Sequence, residues 1–193
     1  MRFYLFIYKL PFSVEKFAVG NNYMVGQTVK TQNNASNTIE VVSEEITPTE
    51  FGMDIKTFKI MHIGRSLSKV LQSVLPKYAH TMEETSETKW PEIHTTYKCP
   101  DKPEALNMGV HTIIKKDGNE TDLPDEFRNM VPEEEIKNMH VSFCDFGTEI
   151  KKAAIEVTET SYCFKLFIID ANIFGQSIIE PIAGKQMRGV FNT

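Results

Sequence analysis

Residues 81–115 read TMEETSETKWPEIHTTYKCPDKPEALNMGVHTIIK. Three extended segments fill the stretch, at about 81–90, 92–98 and 105–115, parted by Pro91 and by Pro100 with Pro103. Proline has no N–H for a ladder and a fixed φ, so it punctuates strands rather than sitting in their middles. No helical period interrupts the run. Successive strands without crossover helices exclude the alternating βα order of a parallel sheet and point to antiparallel pairing.

The segments on either side fit the same reading. Residues 2–9 are an aromatic-rich strand, apolar on both faces, which Pro11 stops. Ser13 caps a helix with Glu15 in its first turn; the helix runs to about Thr31, punctuated by Gly20 and Gly26. Asn33 to Asn37 reads as a loop, Thr38 to Val42 as a strand, and Thr47-Pro48-Thr49 with Phe51-Gly52 as another loop. Thr57 to Ile63 alternates, with Phe58, Ile60 and His62 on one face and Thr57, Lys59, Met61 and Ile63 on the other. After Ser66, the residues Leu67, Val70, Leu71, Val74 and Leu75 recur at helical spacing until Pro76. Residues 116–139 are acidic and turn-rich, with a short Glu-rich helix after Pro132. His140 to Phe146 and Ile155 to Ile169 are strands, and an amphipathic helix runs from about Ser177 to Phe191. The order is strand, helices, two strands, helix, five strands, helix. This predicts an α+β domain in which an antiparallel sheet curls around a long C-terminal helix.

Composition narrows the function classes. The chain has 193 residues, with 41% hydrophobic and 24% charged, and reads as a single globular domain over 1–193. A formal net charge of −5 argues against a nucleic-acid partner. Three cysteines form no CxxC, so neither a disulfide framework nor a zinc site is indicated, and a reducing, cytoplasmic compartment is expected. The apolar runs are too short to span a bilayer, and the N-terminus lacks the pattern of a signal peptide. No nucleophile elbow, phosphate loop or zinc-binding helix motif occurs, the five histidines have no ligand spacing, and an enzyme is not expected. The expectation is of no metal and no cofactor.

Five stretches in order carry a resemblance. Pro11-Phe12-Ser13-Val14-Glu15 with Val19-Gly20-Asn21-Asn22-Tyr23 is similar to P-x-S-V-(D/E) and V-G-Q-L-Y. Thr57-Phe58-Lys59-Ile60 with His62 is similar to T-x-K-I-Y-H. Trp90-Pro91 followed by His94-Thr95 stands near Y-P and R-T, and Phe164-Lys165-Leu166 leading to Phe174-Gly175 stands near Y-K-L and W-W-G. Lys185-Gln186-x-Arg188 with Phe191 is similar to K-Q-x-R with a following L-F. Together these resemble the phosphatidylinositol transfer protein family across nearly the whole chain.

The resemblance implies a START-like helix-grip fold around an internal cavity that holds one phospholipid as ligand. It implies phosphate contacts at Lys165, Thr95 and Asn21 (where the family has Gln), and at His111 or Thr112. It implies inositol-ring contacts at Thr57, Lys59 and Thr88, the last where the family has Asn. Lysine brings three donors, and threonine a donor with two acceptors, which suits a polyol. Ile173 and Phe174 stand where the family has a membrane-contact tip of paired tryptophans. The ordinary alternatives are a solvated strand face for Thr57 and Lys59 and a packed turn for Ile173-Phe174. The expected activity is transfer of phosphatidylinositol, with phosphatidylcholine as a competitor, by a monomer that touches membranes transiently. The alternative is a non-transferring lipid sensor, or a module that presents the acidic 116–139 segment to a protein. Gly147 to Tyr162 is short for the family's regulatory insertion, and the chain ends at Thr193, before the tract that carries the family's acidic inositol contact. A compact or C-terminally shortened member, with weakened inositol selectivity, is therefore expected.

Overall fold

In the computed structural model the described residues are 1–36, 39–49, 52–66, 72–73, 76–146 and 159–171. Eight strands form one curved, mixed sheet: β1 (Arg2–Leu10), β2 (Ile39–Thr49), β3 (Gly52–Met61), β4 (Met82–Lys89), β5 (Glu92–Lys98), β6 (Leu106–Lys115), β7 (His140–Asp145) and β8 (Ser161–Ala171). Their order across the sheet is β2-β3-β4-β5-β6-β8-β1-β7. Among the described residues the α-helices are α1 (Val14–Ser36), α2 (Asp125–Arg128) and α3 (Glu133–Ile136). The segments expected at 81–90, 92–98 and 105–115 are β4, β5 and β6, and β2 to β6 form an antiparallel meander. The turn between β4 and β5 carries a cis Trp90-Pro91 bond.

The sheet is not wholly antiparallel, because β7 pairs with β1 in parallel, Tyr4 opposite His140 through Lys9 opposite Asp145. Residues 116–139 cause this. They leave β6, cross the back of the sheet and return the chain in the same direction at its far edge, as a parallel pairing requires. The crossing segment is amphipathic. Leu123, Phe127 and Val131 are buried against Phe3, Leu5, Ile7, Ile113, Phe164 and Leu166. Pro124 and Pro132 precede α2 and α3, where a fixed φ and a missing donor are tolerated. The acidic residues face water, and the apolar ones seal the back face. The segment is thus a structural cover on its apolar side.

The other face carries a second cluster. Phe6, Tyr8, Leu10, Ile114, Cys163 and Phe167 are buried there, with Phe12, Val14, Phe17 and Trp90 packed on them. Phe17 stacks on Phe12 at 6.3 Å and meets Trp90 edge-on at 6.1 Å, fixing the start of α1 over the sheet. β1 lies between the two clusters, and Leu5 and Ile7 are fully buried, each such side chain contributing roughly 1.5–3 kcal/mol. Ser161 Oγ donates to the Phe12 carbonyl at 2.8 Å and ties β8 to the turn after β1.

Several boundaries differ from the sequence expectation. α1 continues through Asn33 to Ser36, because the chain after Gly26 holds no glycine or proline and each polar residue costs well under about 1 kcal/mol in a helix. β2 passes through Thr47-Pro48-Thr49 and β3 begins at Gly52; Pro48 fits because β2 is an edge strand whose outer N–H groups need no partner. Ile63 opens a 3-10 turn, Ile63–Ser66, rather than closing β3. β8 begins at Ser161, and residues 159–160 lie outside it. The helix expected at Leu67 to Leu75 lies, in all its apolar positions, outside the described residues, as do residues 147–158 and the C-terminal helix at Ser177 to Phe191.

Candidate functional site

Strand register decides which side chains meet. Because alternate residues share a face, each chain of opposed residues across the sheet is one row. The first row on the α1 face is Ile55, Thr88, Ile93, Thr112, Lys165 and Phe6. The second is Thr57, Ser86, Thr95, Val110, Phe167 and Tyr4. The third is Lys59, Glu84, Tyr97, Met108, Ile169 and Arg2. Of the sheet residues singled out from the sequence, Thr57, Lys59, Thr88, Thr95, Thr112 and Lys165 therefore fall on one face in three adjacent rows, and His111 falls on the other. In the second and third rows the polar members lie toward β3–β5 and the apolar ones on β6 and β8, with Arg2 closing the third row, whereas the first row carries its polar side chains on β4, β6 and β8.

The polar end is buried rather than solvated. Thr57, Lys59, Glu84, Thr88 and Thr112 are all at most 9% exposed. Charges withdrawn from water need a partner, and Lys59 Nζ donates to Glu84 Oε1 at 2.6 Å, the side chains being 11% and 12% exposed. Burial, the Glu84 charge and a hydrogen bond to Glu84 together hold the Tyr97 phenol well above its ordinary range. In the next row Ser86 Oγ and Thr95 Oγ1 share a hydrogen bond of 2.9 Å. Threonine suits these positions twice over, since its β-branch favours strands and its hydroxyl donates and accepts.

Two groups emerge. Thr112 stands directly opposite Lys165 on the neighbouring strand. Lys59 and Thr57 lie on β3, four strand spacings from β8 or about 19 Å along the sheet, and Glu84 lies on β4, one spacing nearer. Thr88 and Thr95 occupy the strands between. Asn21 lies half-buried on α1, one turn beyond Phe17 and on the same helix face, not on the sheet. His111 and Thr112 lie on opposite faces, Thr112 on the α1 face. His111 points to the back of the sheet and stacks on His94, rings 4.1 Å apart, and burial followed by the His94 charge lowers its pKa to about 4. Ile173 and Phe174, with Lys185, Gln186, Arg188 and Phe191, lie outside the described residues.

Sequence reasoning missed Glu84, Ser86 and Tyr97. Glu84 follows Glu83 in an acidic stretch that looks solvated. Its signal was the register, since a β3–β4 hairpin that sets Met61 opposite Met82 sets Lys59 opposite Glu84. Among the described residues no cluster of three or more His, Cys, Asp and Glu could hold a metal ion. Burial pushes the Cys163 thiol up to about 11, as expected of an inert core residue. Depressions of about 310 Å³ beside Lys115 and Phe164, and about 330 Å³ beside Met1 and His140, are lined by none of Thr57, Lys59, Glu84, Thr88, Thr95, Thr112 and Lys165. No helix among the described residues is long and apolar enough to cross a membrane.

The family model for phosphatidylinositol transfer proteins matches residues 1–161, from β1 to the start of β8. The chain belongs to the phosphatidylinositol transfer protein family. Phosphatidylinositol transfer protein 2 of Dictyostelium discoideum is 27% identical over 147 residues, covering 76% of this chain and 55% of the relative. Membrane-associated phosphatidylinositol transfer protein 2 of Homo sapiens is 27% identical over 138 residues, 70% of this chain and 10% of the relative. Protein retinal degeneration B of Drosophila melanogaster is 28% identical over 115 residues, 58% of this chain and 9% of the relative. The chain thus spans about half the length of the Dictyostelium relative and about a tenth of the two longer ones. Of the candidate headgroup residues on the sheet, only Lys165 falls beyond the matched stretch.

Proposed function

We propose that this family member binds one phospholipid on the α1 face of the sheet and transfers it between membranes, phosphatidylinositol first and phosphatidylcholine as competitor. The carrying observation is the placement of the polar residues in three adjacent buried rows of one face, continuous with an apolar surface on β6, β8 and β1. A headgroup over the polar residues and acyl chains over Val110, Phe167, Met108 and Ile169 match the second and third rows. Lys165 and Thr112, with Thr95 and Asn21, would receive the phosphate, whose charge needs a cation and donors once buried. Thr57, Lys59 and Thr88 would receive the inositol hydroxyls. Glu84 adds an acceptor for those hydroxyls from within this chain, so a carboxylate contact does not depend on a further C-terminal tract. In this reading the remaining residues complete a START-like grip, with the C-terminal helix along the cavity and Ile173-Phe174 as the membrane tip.

The chemistry is exchange without covalent steps. Each buried methylene is worth about 0.8 kcal/mol in either apolar setting, so moving acyl chains from bilayer to protein is nearly isoenergetic. Selectivity then falls to the headgroup rows. The test is transfer of labelled phosphatidylinositol and phosphatidylcholine between vesicles. The wild type is expected to move both, and Lys59→Ala to lose phosphatidylinositol transfer selectively. Equal losses for the two lipids would refute an inositol-reading role, and no transfer by the wild type would refute the proposal.

A further inference from the structure

The outward face of α1 has a pattern that the headgroup rows leave unused. Lys16, Val19, Tyr23, Gln27 and Lys30 recur three or four residues apart, on one helical face, and all are exposed. Val19 is 73% exposed, Tyr23 70% and the adjoining Met24 57%. Large apolar side chains so open on an ordered helix are not core residues. Lys16 and Lys30 bracket them at a separation of about 21 Å along the axis. After Glu15, α1 has no carboxylate. Lys16 pairs only loosely, with Glu159 at 3.9 Å, and both partners are exposed.

Charge is distributed unevenly across the sheet. The 116–139 segment on the back face holds eight carboxylates and three Lys and Arg side chains. A chain of net charge −5 therefore has a cationic, apolar helix face on one side of its sheet and an acidic cover on the other. A second acidic surface is the β2 edge, with Glu40, Glu44 and Glu45. In an anionic field the acidic cover turns away and the α1 face turns inward.

We infer that the outward face of α1 is a docking surface for an anionic bilayer, with Val19, Tyr23 and Met24 entering the headgroup layer and Lys16 and Lys30 meeting lipid phosphates. Tyrosine favours that interface, and lysine stems reach along it while keeping the ammonium in water. A second copy of the chain fits less well, because antiparallel pairing of this stripe brings Lys16 of one copy against Lys30 of the other. The inference concerns where a transfer protein would land and so rests on the proposed function, but its readout is vesicle partitioning rather than transfer.

The full chain is cosedimented with vesicles of phosphatidylcholine alone and of phosphatidylcholine with phosphatidylserine, at low and high salt. Wild type is expected to prefer the anionic vesicles at low salt. Lys16→Glu with Lys30→Glu should abolish that preference, at about fivefold or more per lysine. Val19→Ser with Tyr23→Ser should weaken binding to both vesicle types by roughly tenfold or more. Circular dichroism checks the fold, and native mass spectrometry checks that phospholipid stays bound in both variants. Unchanged partitioning in both folded variants would overturn the inference, and so would wild-type binding indifferent to phosphatidylserine and salt. A wild-type dimer that dissociates on Val19→Ser with Tyr23→Ser would overturn it in favour of a second copy. In each of these cases retained phospholipid leaves the headgroup proposal standing.

Discussion

Replacing Lys59 with alanine strands the Glu84 carboxylate in a place that water barely reaches. The Lys59–Glu84 contact is 2.6 Å, with side chains 11% and 12% exposed, and Tyr97 hydrogen-bonds the same carboxylate. Removing one member of a buried pair typically costs about 3–5 kcal/mol, because the other charge is left without compensation. These side chains keep slight exposure, so the lower end applies, about 3 kcal/mol, or about 6–12 °C of Tm for a chain of this size. The assay is thermal unfolding followed by circular dichroism at neutral pH. The double substitution Lys59→Met with Glu84→Gln removes both charges and retains volume, so its Tm should return to within a few degrees of wild type. It should still fail to discriminate phosphatidylinositol, which separates stability from recognition. A Tm loss under about 2 °C for Lys59→Ala, or a double variant as unstable as the single, would refute the buried pair as the organising contact of this end of the sheet.

Other consequences are equally direct. The unfolded His111 imidazole takes a proton near pH 6.5, while the folded one, buried beside His94, resists until about pH 4. Within that window the unfolded state binds more protons, so stability falls as pH drops and levels off below it. His111→Gln should flatten this part of a Tm-against-pH curve, and an unchanged slope would contradict the assignment. A Cβ on Gly118 would lie 2.7 Å from Phe164 Cζ and 2.8 Å from Tyr162 Cγ, so Gly118→Ala should destabilise by about 1–3 kcal/mol, read by urea unfolding. Phe127→Ala should cost about 3–5 kcal/mol by opening the back cover, and a neutral outcome would mean that residues 116–139 do not seal the sheet. Cys99 and Cys163 are buried, and the Cys163 thiol is raised to about 11, so a thiol reagent at pH 8 should reach both only in denaturant.

Local rules found most of the sheet, and tertiary context decided the rest. The prolines in 81–115 located β4 to β6, and a single strand, then two, then five is the observed strand order. The parallel pairing of β7 was not legible, because it depends on where 116–139 crosses, and its acidic composition masks the buried Leu123, Phe127 and Val131. Pro48 was misread as a loop marker because only the sheet order reveals that β2 is an edge. The Thr57/Lys59 alternation was correct, but periodicity cannot say which face is buried. A polar face turned inward is the opposite of the usual expectation, and the headgroup proposal rests on it. The motif likeness drew attention to Thr57, Lys59 and Lys165, whereas Glu84 needed the register.

The central claim is that the α1 face is filled by a phospholipid whose headgroup lies on the polar rows. Native mass spectrometry of the intact chain, purified from cells without added lipid, tests it most directly. The account predicts one phospholipid per chain, phosphatidylinositol and phosphatidylcholine both represented, with phosphatidylinositol selectively depleted in Lys59→Met with Glu84→Gln. A folded chain that carries no phospholipid, and takes none from vesicles containing phosphatidylinositol, would contradict it.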